Sequence, residues 1–399
     1  MVAHYGLVGC STRLLCGVNS VLSRHDNQDL HYEDFEGRIR IPSGCAIAGL
    51  INRKGELTSG HTIAEMMAVM HERSNGLGAG YAGYGIYPDR SDSYAFHLIL
   101  ADEWIQQEVE VILSRAFSME SKEEIPVKRI GAYKQAPLVW RYFCSPRCSP
   151  WMADGETDAD ELLLKTTMRI NRLAPRATVM SCGKNMGVFK GVGYPEEIAE
   201  FFRIDEYQGY SWIGHGRFPT NTPGWWGGAH PFSIGEIAVV HNGELSSYGA
   251  NKNYLESCSY ELSLQTDTEV MAYAVHYLRS QGYSWGLIAA IFAPPHWSDI
   301  DRMGDREREF YTALRRAYGG LLMNGPFSII VAFSGGLMAL NDRLKLRPLI
   351  AGTSGDFLYM ASEEAAIRQV CERLDTLKPL EAGEALIGLV EEESRCHVA

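Results

Sequence analysis

Ser43-Gly44-Cys45-Ala46-Ile47-Ala48-Gly49-Leu50-Ile51 is a continuous apolar run that opens on a cysteine, within a chain of 399 residues. A run this short, preceded by glycine and followed by the turn residues Asn52–Gly55, predicts a core strand over Cys45–Ile51. Residues 1–44 show no sustained period of 2 or 3.6 and carry a polar stretch from Arg24 to Arg40. They read as a leader or propeptide, with a misassigned start codon as the other reading. A buried structural thiol is the ordinary fate of a cysteine, but one that begins a strand behind a weakly patterned leader has a second use. Removal of residues 1–44 sets the thiol beside its own α-amine, whose ordinary pKa of about 7.7–8.0 is far nearer neutrality than the roughly 10.4 of lysine. Such an amine can take the thiol proton and later return it to a leaving amine.

Outward from this strand, Thr62–Arg73 predicts an amphipathic helix with Ile63, Met66, Met67 and Met70 on one face. Asn75–Gly85 reads as a glycine-rich connector into a strand at Tyr84–Tyr87. Within it, Gly78-Ala79-Gly80-Tyr81-Ala82-Gly83 matches G-x-G-x-x-G, but a dinucleotide site needs a strand before that motif and a helix N-terminus after it. Here a helix precedes and a strand follows, so no nucleotide is assigned. Residues from about 95 to 192 read as an inserted α/β unit. Its strands are Ala95–Ala101, Val127–Ile130, Pro137–Phe143, Ala177–Cys182 and Met186–Lys190, and its helices Trp104–Ala116 and Asp158–Arg172. Two strand-helix-strand units of this length suggest a ferredoxin-like arrangement. Strands at Ser211–Gly214 and Ile237–His241 and a helix at Thr268–Arg279 resume the main domain, and Pro294–Glu309 is a polar interruption. The strands Phe327–Phe333, Leu337–Asn341, Leu349–Thr353 and Phe357–Ser362, then a helix at Glu363–Leu374, close a layered α/β sandwich.

Four groups of residues carry candidate chemistry. Arg217 lies in Gly214-His215-Gly216-Arg217-Phe218-Pro219-Thr220-Asn221, a segment dense in glycine and proline that makes a shaped loop after a strand, where sites tend to be built. A guanidinium there can grip a carboxylate bidentately; a surface salt bridge is the plainer reading. Asn242-Gly243 is a good hairpin-turn signal, and equally a pair of donors, one side-chain amide and one backbone N–H, for a tetrahedral oxyanion. Thr266-Asp267-Thr268-Glu269 reads as a helix cap, and Asp267 could also face a substrate ammonium. His215, His230 and His241 lack the short spacing of helical zinc motifs, and Cys144…Cys148 is an isolated pair without companion ligands, so no metal is expected.

Composition narrows the class. A hydrophobic share of 46% and a charged share of 22% are those of a soluble globular protein, and a net charge of −12 argues against a nucleic-acid surface. Nine cysteines cannot pair completely and read as reduced cytoplasmic thiols. No apolar run reaches the roughly 18–20 residues that span a bilayer. Leu7-Val8-Gly9-Cys10 echoes a lipoprotein cleavage site but lacks a basic n-region and an h-region.

Taken in order, Cys45-Ala-Ile-Ala-Gly49, Met70-His-Glu-Arg73, the Gly214–Asn221 segment, His230-Pro-Phe232, His241-Asn-Gly-Glu244 and Thr266-Asp-Thr-Glu269 resemble the class II (N-terminal nucleophile) glutamine amidotransferases, particularly the glutaminase domain of glutamate synthase. The resemblance spans about residues 45–270, and Arg347-Pro348 and Ser362-Glu363 fit it too. It implies an α+β, four-layer αββα sandwich over residues 45–395. Cys45 would be the nucleophile after leader removal, Arg217 would bind the glutamine α-carboxylate, and Thr220 and Asn221 would flank the substrate. Asn242 and Gly243 would form the oxyanion hole, and Asp267 would hold the α-amine. The chain departs from the family in its leader, in Ala46 where glycine is usual, and in the inserted unit. His71-Glu72-Arg73 also interrupts the common His-Arg-Gly, so Arg73 receives no role. No flavin barrel or iron–sulfur cysteine pattern is recognisable. The resemblance therefore implies a glutaminase subunit without cofactor of its own, its ammonia passing to a separate flavin-containing glutamate synthase subunit that carries FMN and Fe–S. Amidotransfer to a different acceptor, and a non-catalytic glutamine-binding regulatory subunit, are the alternatives.

Overall fold

The computed structural model describes residues 44–128, 133, 136–147, 158–218 and 224–391. The opening strand forms over Ala46–Asn52 with all seven residues buried. It lies inside a seven-stranded sheet, antiparallel to Ser211–Gly216 on one side and to Phe357–Ala361 on the other. A five-stranded sheet built on Ile237–Gly243, Phe327–Phe333 and Gly336–Asn341 faces it.

Side-chain alternation along these strands makes the layers. Ala238, Val240, Ile330, Ala332, Leu337 and Ala339 belong to the core between the sheets. Their neighbours Val239, Ile329, Val331, Met338 and Leu340 belong to a second core, which they share with the helices Asp267–Ser280 and Trp285–Phe292. On the far side of the seven-stranded sheet lie the helices His61–Ala68, Pro195–Phe201 and Glu364–Val370, through Met66, Ile198 and Ile367 among others. The result is helix, sheet, sheet, helix.

The excursion between the main strands runs strand Tyr94–Leu100, helix Glu103–Ala116, strands Phe117–Glu124 and Leu138–Pro146, helix Ala159–Asn171, strand Ala177–Ser181. Its four strands form an antiparallel sheet in which Tyr94–Leu100 sits between Leu138–Pro146 and Ala177–Ser181, with Phe117–Glu124 at the edge beyond Leu138–Pro146. This is the β-α-β-β-α-β order of a ferredoxin-like unit.

Several expectations are corrected. Phe117–Glu124 replaces the strand expected at Val127–Ile130, where Val127 and Lys128 are irregular and the rest lies outside the described residues. Its sequence, Phe-Ser-Met-Glu-Ser-Lys-Glu-Glu, is polar as befits an exposed edge, and so hides the apolar alternation. Met186–Gly191 is an outer strand of the seven-stranded sheet, so the inserted unit ends before it. Asn75–Gly85 is not a connector, because Ala79–Tyr84 is a wholly buried strand beside Ser211–Gly216. Its glycines are there for room: a Cβ on Gly80 would stand 2.6 Å from Lys190 Cβ and against the His230 carbonyl. The helix expected to reach Arg73 ends at Ala68, and a tight turn His71–Arg73 follows. The expected interruption at Pro294–Glu309 contains the helix Trp297–Ile300 and the start of Asp305–Ala317. Cys148 lies outside the described residues. Among the described residues, no helix is long and apolar enough to cross a membrane.

Candidate active site

Register brings the first two site residues together. Ala46 pairs with Gly216, so Cys45, one residue before, and Arg217, one residue after, leave the sheet at the same edge. A cavity of about 860 Å³ opens there, walled by Cys45, Arg217, Phe218, Gly243, Asp267 and Arg347 among others. The Cys45 thiol is half-buried, and its Sγ accepts a hydrogen bond from the Phe218 N–H at 3.3 Å. Burial pushes the thiol pKa up, while the Phe218 N–H, Arg217 and Arg347 pull it back. Arg217 is buried, its backbone held by Gly78 (N–H to carbonyl, 2.8 Å) and by the Ser74 hydroxyl, which donates to the Arg217 carbonyl at 3.2 Å. Burial lowers its pKa, and Cys45 and Asp267 act in the opposite sense.

Asp267 is the first residue of its helix, but Thr266 is the cap, accepting from the Thr268 N–H at 3.2 Å. That division of labour leaves the Asp267 carboxylate for the cavity. Its Oδ2 accepts from the Leu245 N–H at 3.1 Å, and its Oδ1 stands 3.6 Å from His241 Nδ1. Burial pushes this carboxyl up, yet His241, the Leu245 N–H and the Thr268 hydroxyl together hold it below its ordinary value.

Asn242 and Gly243 make no hairpin turn. They end the strand Ile237–Gly243 and pair with Ser328 and Phe327. Gly243 has φ +139°, and a Cβ there would collide with the Pro326 carbonyl, so the position requires glycine. Asn242 is fully buried, and neither its Nδ2 nor its Oδ1 has a partner among the described residues. It lies in the chain between the cavity-lining residues His241 and Gly243, and close to Gly44: a Cβ on Gly44 would lie 3.3 Å from Asn242 Oδ1 and 3.1 Å from Arg347 Nη1. Gly44 itself has φ +106°. Thr220 and Asn221 lie outside the described residues.

Sequence reasoning passed over four groups that the structure brings here. Arg73 donates from Nε and Nη2 to the Cys45 carbonyl, both at 3.3 Å, and from Nη1 to Glu363 at 3.0 Å. Its signal was present in Met70-His-Glu-Arg73 but masked by the interrupted motif. Arg347, matched in the resemblance without a role, approaches Gly44 from a distant loop. Lys190 is a lone cation in an apolar strand, the mark of a buried polar contact; its Nζ donates to the carbonyls of Gly227 (3.0 Å) and Pro231 (3.2 Å), fixing the loop that carries Trp225 into the cavity wall. Glu269 accepts from the N–H groups of Ser263 (3.1 Å) and Leu264 (2.9 Å), which line the cavity. Burial lowers Lys190 to about 7 and raises Glu269 to about 7. His215 and His230 lie with ring centroids 3.9 Å apart, tilted to each other, and burial drives both pKa values down. His215 Nε2 lies 3.0 Å from the His241 carbonyl. The trio buttresses the strand that delivers Asn242.

Residues 85–394 match the family model of the class II glutamine amidotransferases. The chain belongs to this family. An uncharacterized protein of Archaeoglobus fulgidus is 48% identical over 88% of this chain and 93% of its own length. A putative glutamine amidotransferase of Methanothermobacter thermautotrophicus is 25% identical over 82% of this chain and 94% of its own. A glutamine–fructose-6-phosphate aminotransferase of Acidithiobacillus ferridurans is 33% identical over 46% of this chain but 26% of its own. This class II glutamine amidotransferase is thus an enzyme of the N-terminal-nucleophile type, with the αββα layering found above.

Proposed function

We propose that this class II glutamine amidotransferase is a cytoplasmic glutaminase subunit that hydrolyses the glutamine side-chain amide through a Cys45 thioester and delivers ammonia to a separate glutamate-synthase-type partner. The observation that carries the reading is the convergence of Cys45, Arg217 and Asp267 on one cavity, with Asn242, whose amide has no partner among the described residues, between the lining residues His241 and Gly243. Arg217 takes the α-carboxylate and Asp267 the α-ammonium, which leaves the side-chain amide directed at Cys45, with Thr220 and Asn221 as flanking residues. Sγ bonds to the amide carbon as the thiol proton passes to the α-amine of Cys45. The oxyanion is met by Asn242 Nδ2 and the Gly243 N–H. The α-amine returns the proton to the amide nitrogen as the C–N bond breaks and ammonia leaves, and water cleaves the thioester to give glutamate and the free thiol.

This chemistry needs the Cys45 amine free, and Gly44 is where the reading becomes specific. Packed between Asn242 and Arg347, Gly44 covers the amide that the oxyanion requires. Its loss with residues 1–43 uncovers Asn242 and creates the base in one event. The chain would need no cofactor, and FMN and Fe–S would belong to the partner. Support for that acceptor is the resemblance of the ordered segments to the glutaminase domain of glutamate synthase. A different acceptor, such as an amino sugar, is the second reading, favoured by the likeness to the fructose-6-phosphate enzyme.

Intact mass and N-terminal sequencing of native protein, paired with glutamine-dependent ammonia release, test this. The expected result is a chain beginning at Cys45 whose activity is abolished by Cys45→Ala and which co-purifies with a flavoprotein. A chain that retains Gly44 and releases no ammonia would leave a glutamine-binding regulatory subunit instead. Release without a flavoprotein partner would favour the amino-sugar reading.

A further inference from the structure

Away from Cys45, a second cavity of about 400 Å³ lies among the helices Trp285–Phe292, Trp297–Ile300 and Asp305–Ala317 and the segments at Arg343 and Gly383. Much of its lining is alanine and glycine; the polar groups are His296, Asp299, Tyr311 and Arg343. Two nitrogens of these side chains, His296 Nε2 and Arg343 Nη1, are buried without a partner among the described residues. The other terminal nitrogen of Arg343 donates to Asn324 Oδ1, a neutral acceptor. The neighbouring Asp342 acts on the guanidinium through its charge but forms no ion pair with it. Its carboxylate is committed to the N–H groups of Phe327 (3.2 Å), Leu344 (2.8 Å) and Leu346 (2.9 Å). A second guanidinium, Arg315, stands close by and donates to the Pro295 carbonyl at 2.9 Å.

Buried donors without acceptors are rare and costly in folded proteins, most of all on a charged group. A guanidinium and an imidazole nitrogen on one small cavity match an oxyanion, to which arginine donates in parallel pairs. Asp299 in the same lining disfavours a doubly charged anion such as phosphate and favours a single carboxylate. We propose that this cavity binds the carboxylate group of a small metabolite through Arg343 and His296. The site lies four residues along the chain from Arg347, which lines the Cys45 cavity, so an occupant here bears on the loop that serves both.

The test is isothermal titration of the full chain carrying Cys45→Ala and Arg217→Met, with L-glutamate and inorganic phosphate as separate probes. Neither substitution touches the second cavity, and no turnover is needed, so failure of the glutaminase reading leaves the measurement intact. The expected result is L-glutamate binding with a Kd below about 1 mM, weakened at least tenfold by a further Arg343→Met, and weakened also by His296→Phe in protein of unchanged thermal midpoint. Absence of L-glutamate binding, or binding indifferent to both further substitutions, would overturn the site. Preference for phosphate would overturn the carboxylate assignment.

Discussion

On the proposed mechanism Arg217 binds and Asn242 serves the chemistry, so their variants should fail in different ways. Lysine at 217 keeps the charge and loses the planar fork. Arg217→Lys should therefore raise KM for glutamine by about 10–100-fold, the equivalent of one charge-assisted hydrogen bond, with kcat changed far less. Asn242→Ala should lower kcat by about 10²–10³-fold at nearly unchanged KM, as loss of one oxyanion donor does. Steady-state kinetics on the processed enzyme separate the two. An Asn242→Ala enzyme with wild-type kcat would remove Asn242 from the oxyanion role. These two residues were legible in the sequence because each sits in a short segment whose residue types suit one task. Arg73 was not: its task is to hold the Cys45 carbonyl, and a helix ending early at Ala68 decides that.

At the scale of elements, the strand Ala79–Tyr84 shows why glycine spacing misleads. Its glycines mimic a dinucleotide fingerprint, yet they are there because the backbone at His230 and Phe189 and the Trp212 ring pass too close for a side chain. Gly80→Ala should destabilise the fold by about 1–3 kcal/mol as an overpacked site, seen as a lower thermal midpoint, and should disturb His230 besides. The helix Asp267–Ser280 carries a second test through Glu269. Its folded pKa of about 7 lies above the ordinary value of a glutamate, so the folded protein keeps a proton that the unfolded chain releases. The stability this contributes is complete below about pH 4.3 and is lost as pH rises through 7. Lys190, lowered to about 7, works in the opposite sense, and its part of the stability rises from pH 7 towards about 10.4. Glu269→Gln removes the acid limb. Its thermal midpoint should therefore improve relative to the parent between pH 5 and pH 7, and a difference that is flat with pH would show that Glu269 is ionised throughout.

For the whole molecule, the inserted unit is structural as well as additional. Phe96, Leu98 and Leu100 of its central strand face its own helices, while Ala95 and Ile99, with Val139, Phe143 and Met180, join the main core. Excising residues 94–182 behind a short linker would strip apolar surface from both sides. The expected outcome is an insoluble protein, and a soluble, cooperatively melting deletion would show that the main sandwich closes without it. The two strand-helix-strand patterns made this unit visible in the sequence, but its boundary was misplaced. Met186–Gly191 has the same apolar composition whichever sheet it enters, and pairing with Ala79–Tyr84 assigns it to the main one.

What the sequence by itself determined is the family and a set of residue types in order: a cysteine opening a strand, an arginine in a glycine-rich loop, an asparagine–glycine pair after another strand, an aspartate at a capped helix start. Residue type and local pattern suffice for these, because strand alternation, capping and donor inventory act over a few neighbours. Only the tertiary structure decided that Asn242-Gly243 ends a strand instead of turning a hairpin, that Gly44 lies close to Asn242, and that Arg73, Arg347 and Lys190 reach the site. Those are contacts between residues distant in the chain, set by sheet register and close packing, and no local pattern contains them.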